Sequence, residues 1–104
     1  MRVSSQRVVV VLITTSNRRE AGRIAAAVVN KKLAACANLV TSVSSTFRWK
    51  GQVRKSREAL LIVKTSARRY AALEKFVRSI HSYDVPEIIA LSVDRGLRPY
   101  LAWV

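Results

Sequence analysis

An α+β domain, with two helices on one face of a four-stranded antiparallel sheet, is the fold that this sequence predicts. Three observations indicate it. The chain has 104 residues, which is enough for one core but not for two. Its apolar residues form four short runs typical of strands and two segments with helical spacing. The order is strand, helix, strand, strand, helix, strand, which is the order of a βαββαβ sandwich.

The first strand and the first helix open the chain. Residues 7–14, RVVVVLIT, form a β-branched run that is too short for a helix and is followed by a polar cluster. Asn17 can cap a helix, and Glu20 stands three residues later, as in a capping box. Apolar residues then recur at helical spacing up to about Leu33. We therefore expect a buried strand and an amphipathic helix.

A long hairpin is predicted next. Residues 37–49 read as a strand whose apolar side chains share one face, namely Leu39, Val43, Phe47 and Trp49. The sequence KGQ at 50–52 supplies a turn glycine, and the return strand contains residues 59–65, ALLIVKT. The second strand is long enough to extend beyond the sheet near Phe47 and Trp49.

The second helix and the last strand complete the sandwich. Ser66 can cap the helix, in which Tyr70, Leu73, Val77 and Ile80 form one stripe. His81 lies just past its end. Pro86 lacks the amide hydrogen that a ladder uses, so the last strand is residues 87–93, and residues 98–104 form a short helical tail. The prediction is one ferredoxin-like domain over residues 1–104, with 1–6 as a disordered tail.

The apolar runs predict self-association. Two helices can cover only one face of a four-stranded sheet. If the other face is exposed to water, apolar and polar residues should alternate along each strand. The runs VVVVLI, ALLIV and IIAL are apolar on both faces. A monomer would expose a large apolar patch, and a second copy of the chain is the simplest cover.

The composition limits the classes of function. Nineteen basic and six acidic residues give a formal net charge of +13, which attracts polyanions and keeps a nucleic-acid-binding protein as one alternative. One cysteine excludes an intramolecular disulfide, and no apolar run approaches the ~20 residues of a membrane span. We expect a cytoplasmic protein without a membrane partner. A single histidine and the absence of a nucleophile motif predict that it is not an enzyme.

Five segments resemble the CutA family, the divalent-cation-tolerance proteins. They are KKLAACANLV at 31–40, FRWKGQV at 47–53, LLIVKT at 60–65, FVRSIHSYDVPEIIAL at 76–91 and PYLAWV at 99–104. The resemblance covers nearly the whole chain. It implies a ferredoxin-like homotrimer whose long hairpins embrace neighbouring subunits. It also implies a role in divalent-cation tolerance, either by binding a divalent metal, copper above all, or by acting as a metal-response scaffold. A distant kinship with PII-like trimers is implied as well, with no established catalytic reaction.

Two departures from the family pattern bear on metal binding. In one copper site proposed for the family the ligands are a cysteine and two successive histidines, and the corresponding positions here are Ile13, Ile80 and His81. Only the last can bind copper. Where many members carry an acidic run after the hairpin turn, this chain has RKSR at 54–57. A cation would therefore approach against a strongly basic surface.

Four residues are candidate ligands for Cu²⁺ or another divalent cation: His81, Cys36, Asp84 and Glu87. Each also has a structural interpretation. His81 suits the end of a helix, where the helix dipole favours it. Cys36 lies at a helix-to-strand junction, where a buried inert thiol is the default. Asp84 can form the turn before Pro86, and the role of Glu87 stays open.

Two further sets are candidates for surfaces between subunits. The first set is expected to line a cleft or to pack in an interface, and it consists of Trp49, Lys64, Tyr83, Tyr100 and Trp103. Arginines at the two helix starts could bind a small anion, as in a PII-like sensor; these are Arg18, Arg19, Arg68 and Arg69. No Gly-rich phosphate loop accompanies them, so a solvated basic surface is the preferred interpretation.

Overall fold

The structure, a computed structural model, describes residues 7–104 and confirms the predicted fold class. The expectation of a disordered tail at 1–6 lies outside the described residues. The elements are β1 (Val8–Thr15), α1 (Arg18–Asn30), β2 (Cys36–Trp49), β3 (Gln52–Ser66), α2 (Tyr70–Ile80), β4 (Ile88–Ser92) and α3 (Arg98–Trp103). The strands pair antiparallel in the order β2-β3-β1-β4.

The core lies between the sheet and the two long helices. Alternate side chains of β1 and β3, such as Val11 and Leu61, are fully buried against Ile24 of α1 and Leu73 of α2. The opposite side of the sheet, here called the open face, has no helix layer. Its apolar side chains include Val10, Leu12, Val40, Leu60, Ile62, Ile89 and Leu91. Ile89 is 48% exposed and Leu91 is 53% exposed, as the apolar runs predict.

A β-bulge in β2 corrects the prediction that Leu39 shares a face with Phe47 and Trp49. The pairing of β2 with β3 shifts between Val40 and Val43, so that Leu39 lies opposite Leu61 on the core side. An extra residue reverses the alternation of side chains along a strand. Beyond the bulge, Phe47 and Trp49 therefore lie on the side of the open face.

One predicted helix cap is confirmed and one is wrong. The Asn17 side chain accepts a hydrogen bond from the backbone N–H of Glu20 at 2.8 Å. Ser66 does not cap α2: it is the last residue of β3, its side chain is buried, and its hydroxyl has no partner among the described residues. A 3₁₀ turn at Ala67–Arg69 leads into α2 instead.

The hairpin of β2 and β3 gives the molecule its length of 51 Å against 26 and 22 Å in the other directions. Lys50 and Gly51 form its two-residue turn with φ of 51° and 78°. Two successive positive φ angles are typical of a type I′ turn, which matches the twist of the flanking strands. Between residues 7 and 104, the helices are too short or too polar to cross a membrane.

Candidate functional site

His81 follows the last residue of α2, and its side chain is fully buried. The ring nitrogen Nε2 lies 2.8 Å from the backbone oxygen of Thr14, and Nδ1 accepts a hydrogen bond from the backbone N–H of Tyr83 at 3.0 Å. A neutral ring with its proton on Nε2 satisfies both contacts, donating to Thr14 and accepting from Tyr83. A metal could reach either nitrogen only by replacing one of these hydrogen bonds.

The carboxylate of Glu20 is buried beside this ring. Its oxygens accept hydrogen bonds from the backbone N–H and hydroxyl of Ser16 at 3.1 and 2.9 Å, and from the same two groups of Ser82 at 2.7 and 2.9 Å. Burial alone would raise the pKa of Glu20, but the hydrogen bonds from Ser82 and Ser16 outweigh it and lower the pKa to about 2. The ionised carboxylate therefore joins the start of α1 to the segment after α2.

A second carboxylate holds the next residue of the loop. The hydroxyl of Tyr83 donates to Oε2 of Glu58 at 2.7 Å, and the hydroxyl of Ser45 donates to Oε1 of the same residue at 2.7 Å. Burial, and then the neighbouring Glu58, raise the pKa of Tyr83. Because Glu58 of β3 pairs with Val43, the first paired residue of β2 beyond the bulge, this contact joins the α2–β4 loop to the base of the hairpin. Glu20, Glu58, His81, Ser82 and Tyr83 are called the polar clamp below.

Removing the Tyr83 hydroxyl should loosen the hairpin. We expect Tyr83→Phe to lower the free energy of unfolding by about 1–2 kcal/mol, because Glu58 loses a charge-assisted hydrogen bond in a half-buried place. Urea unfolding measures the loss, and amide exchange should quicken near Ser45. Ser79→Ala is the control, since the Ser79 hydroxyl is exposed and donates only to the backbone oxygen of Phe76 in its own helix. If the two substitutions lowered the free energy of unfolding equally, the hydrogen bond from Tyr83 to Glu58 would not be what stabilises the hairpin.

The structure does not bring the four candidate metal ligands together. Asp84 and Glu87 are exposed, while the His81 side chain is buried and engaged on both nitrogens. Cys36 belongs to β2 and is therefore separate from the α2–β4 loop that carries the other three candidates. No group of three or more His, Cys, Asp or Glu side chains in the described part of the chain is arranged to hold a metal ion.

Cys36 lies at the start of β2 rather than at a junction before it, and it is half-buried, where the sequence suggested a buried thiol. It pairs with Lys64 on the open face. Its Sγ lies 3.8 Å from Oδ1 of Asn38 and 4.0 Å from the hydroxyl of Tyr100. The ammonium group of Lys64 donates to the same Asn38 oxygen. Cys36, Asn38, Lys64 and Tyr100 are called the thiol cluster below.

The thiol cluster unites three predicted site residues with one that the sequence analysis missed. Asn38 stands two residues after Cys36, so the alternation of a strand places both on one face. That spacing was the signal that could have found it. Tyr100 arrives from α3, and its ring centroid lies 5.6 Å from that of Trp103. Burial, and then the Cys36 thiol, raise the pKa of Tyr100.

The remaining candidates lie apart. Trp49 ends β2 at the far end of the hairpin and is 48% exposed. Arg18 and Arg19 are exposed at the start of α1. Arg68 and Arg69 belong to the 3₁₀ turn before α2. The chemistry that the structure assembles is therefore a structural clamp around His81 and an accessible thiol beside an amide oxygen, an ammonium group and a phenol.

Comparison with known proteins shows which family the chain is similar to. The family model described as CutA1 divalent ion tolerance protein matches residues 9–104. "Protein CutA" of Mus musculus is 49% identical over 81 residues, which are 78% of this chain and 46% of the mouse protein, so the match spans about half of that relative. "Divalent-cation tolerance protein CutA" of Thermus thermophilus is 44% identical over 78% of this chain and 79% of its own length.

Solved structures of CutA proteins have the same fold as this chain. The divalent cation tolerance protein (Cut A1) of Thermus thermophilus superposes with a TM-score of 0.91 at 43% identity, covering 93% of this chain and 94% of that one. CutA1 from Oryza sativa superposes with a TM-score of 0.90 at 40% identity, covering 93% and 89%. Both likenesses extend over the hairpin, the helices and the sheet together.

Proposed function

The chain belongs to the CutA1 divalent ion tolerance family, and from that premise we propose that it is a homotrimeric, cytoplasmic divalent-cation-tolerance protein that binds copper through Cys36. The observation that carries the proposal is the accessible thiol of the thiol cluster. Thiolate sulfur is a soft ligand that suits copper as Cu(I), and a reducing cytoplasm keeps both this ion reduced and the thiol free. The role is binding and not catalysis.

Self-association is supported by the continuity of the apolar surface. The bulge in β2 places Phe47 and Trp49, 41% and 48% exposed, on the same side as Ile89 and Leu91 of the open face. A soluble monomer seldom exposes so extended an apolar surface. A trimer is the assembly that the family resemblance implies. Neighbouring subunits covering the open face would enclose the thiol cluster in a cleft.

In this proposal His81 has a structural role. Its buried ring fixes the α2–β4 loop through Thr14 and Tyr83. A copper site in the loop is the competing interpretation, with Asp84 and Glu87 as oxygen ligands beside His81. The two interpretations place the metal on different elements, so substitutions can separate them.

A copper titration tests the proposal. Calorimetry at neutral pH should show that the parent binds copper and that Cys36→Ser does not, while the double variant Asp84→Asn, Glu87→Gln binds as the parent does. All three proteins should have the same assembly mass. Copper binding that survives Cys36→Ser would overturn the site. If copper does not bind but phosphate or a nucleotide raises the melting temperature, the copper-binding proposal is replaced by a PII-like anion sensor at Lys64.

A further inference from the structure

The two faces of the hairpin beyond the bulge differ in chemistry. Residues that pair across antiparallel strands share a face, and the pairs from Val43–Glu58 to Trp49–Gln52 are in regular register. One face carries the aromatic rings of Phe47 and Trp49 with a single cation, Arg54, and continues the open face. The other face carries the pairs Ser44–Arg57, Thr46–Lys55 and Arg48–Val53. Arg48, Lys55 and Arg57, with Ser44 and Thr46 between them, are called the basic ribbon below.

The basic ribbon is exposed and has no carboxylate of its own. All five of its residues are exposed. Glu58 is the single acidic residue of the hairpin, and it lies on the opposite face, where Ser45 and Tyr83 hold it. Arg57 donates to the Ser42 hydroxyl at 3.2 Å through one nitrogen, which leaves its other donors available. Positive charge on this face is therefore uncompensated by the hairpin itself.

We propose that the basic ribbon binds the sugar-phosphate backbone of double-stranded DNA, independently of base sequence. Same-face residues of a strand are about 6.8 Å apart, and one DNA strand rises about 3.4 Å along the helix axis per phosphate. Because the phosphates wind around the outside of the duplex, their spacing along the strand is longer than this axial rise, and Lys55 and Arg57 can contact neighbouring phosphates of one strand. The hydroxyls of Ser44 and Thr46 supply further donors to phosphate oxygens. A two-stranded ribbon also fits the major groove, about 12 Å wide.

The placement of the aromatic rings favours duplex DNA over other polyanions. Single-stranded nucleic acids are bound by basic grooves whose aromatic rings stack on the bases. Here Phe47 and Trp49 lie on the face opposite the basic ribbon, where Arg54 is the one charged residue paired beside them. A lipid surface would need the same rings to enter the headgroup layer beside the charges. This inference goes beyond metal tolerance and does not rest on it.

Salt-dependent binding to a duplex of about 20 base pairs tests the basic ribbon, measured by fluorescence anisotropy on the full chain. The double variant Arg48→Gln, Lys55→Gln should lose two phosphate contacts, which reduces the slope of log K against log salt by about 1.8. Between about 50 and 200 mM salt the parent should weaken about 12-fold more than this variant. The matched control is Lys75→Gln, Arg78→Gln, which removes two charges from α2 and should keep the parent slope.

Three results would overturn the inference. Equal losses in the two double variants would mean that the general +13 field and not the basic ribbon attracts DNA. Absence of duplex binding by the parent even at low salt would remove the interaction altogether. Tighter binding to phosphatidylserine vesicles or to single-stranded poly-dA than to the duplex would assign the ribbon to another partner. Matching melting temperatures and assembly masses establish that all variants are folded.

Discussion

Replacing Glu20 by glutamine should lower the free energy of unfolding by about 3 kcal/mol at pH 7. The hydrogen bonds from Ser82 and Ser16 lower the pKa of this buried carboxyl from 4.5 to about 2, and each pKa unit corresponds to about 1.4 kcal/mol. A glutamine keeps one acceptor oxygen but turns an NH₂ group toward donors that need an acceptor. Urea unfolding at one fixed protein concentration measures the loss, since self-association adds stability by mass action.

The dependence of stability on pH provides the second half of this test. A carboxyl whose pKa is lower in the folded state contributes stability that is complete above its unfolded pKa of 4.5 and is lost as the pH falls toward about 2. The difference between parent and Glu20→Gln should therefore shrink over that interval. Asp94→Asn is the control, because that side chain is 96% exposed and should leave stability unchanged. A variant as stable as the parent at pH 7 would contradict the role of Glu20.

Placing a charge on the open face should dissociate the assembly while leaving each chain folded. Leu91 is 53% exposed in the single chain, so Leu91→Asp costs the isolated fold little. In an assembly that covers the open face, the same carboxylate would be buried without a partner, at a cost of several kcal/mol in every subunit. We expect the mass measured by light scattering at micromolar concentration to fall from about three times 11.6 kDa to 11.6 kDa.

Val29→Asp is the matched control for this experiment. Val29 is an apolar residue that is 39% exposed, but it lies on α1, on the other side of the sheet from the open face. Its substitution should leave the assembly mass unchanged. If Leu91→Asp kept the parent mass, or if both variants dissociated alike, the open face would not be the surface through which the chains associate.

For the segment HSYDVPEI at 81–88, the sequence predicted the turn but not the residues that the turn contacts. A turn between helix and strand could be recognised from His81 after the helical stripe and from Pro86 before the strand. The partners could not, because Glu20 stands 62 residues before Ser82 and Glu58 stands 25 residues before Tyr83. Nothing local to the loop indicates which distant carboxylate will meet it.

The sequence by itself determined the order of strands and helices, the cap at Asn17, the turn at Gly51 and the apolar character of the open face, because periodicity, capping and turn chemistry act between near neighbours. Only the tertiary structure decided the polar clamp, the thiol cluster and the two faces of the hairpin. These depend on strand register, and one extra residue between Val40 and Val43 reverses every later side chain of β2.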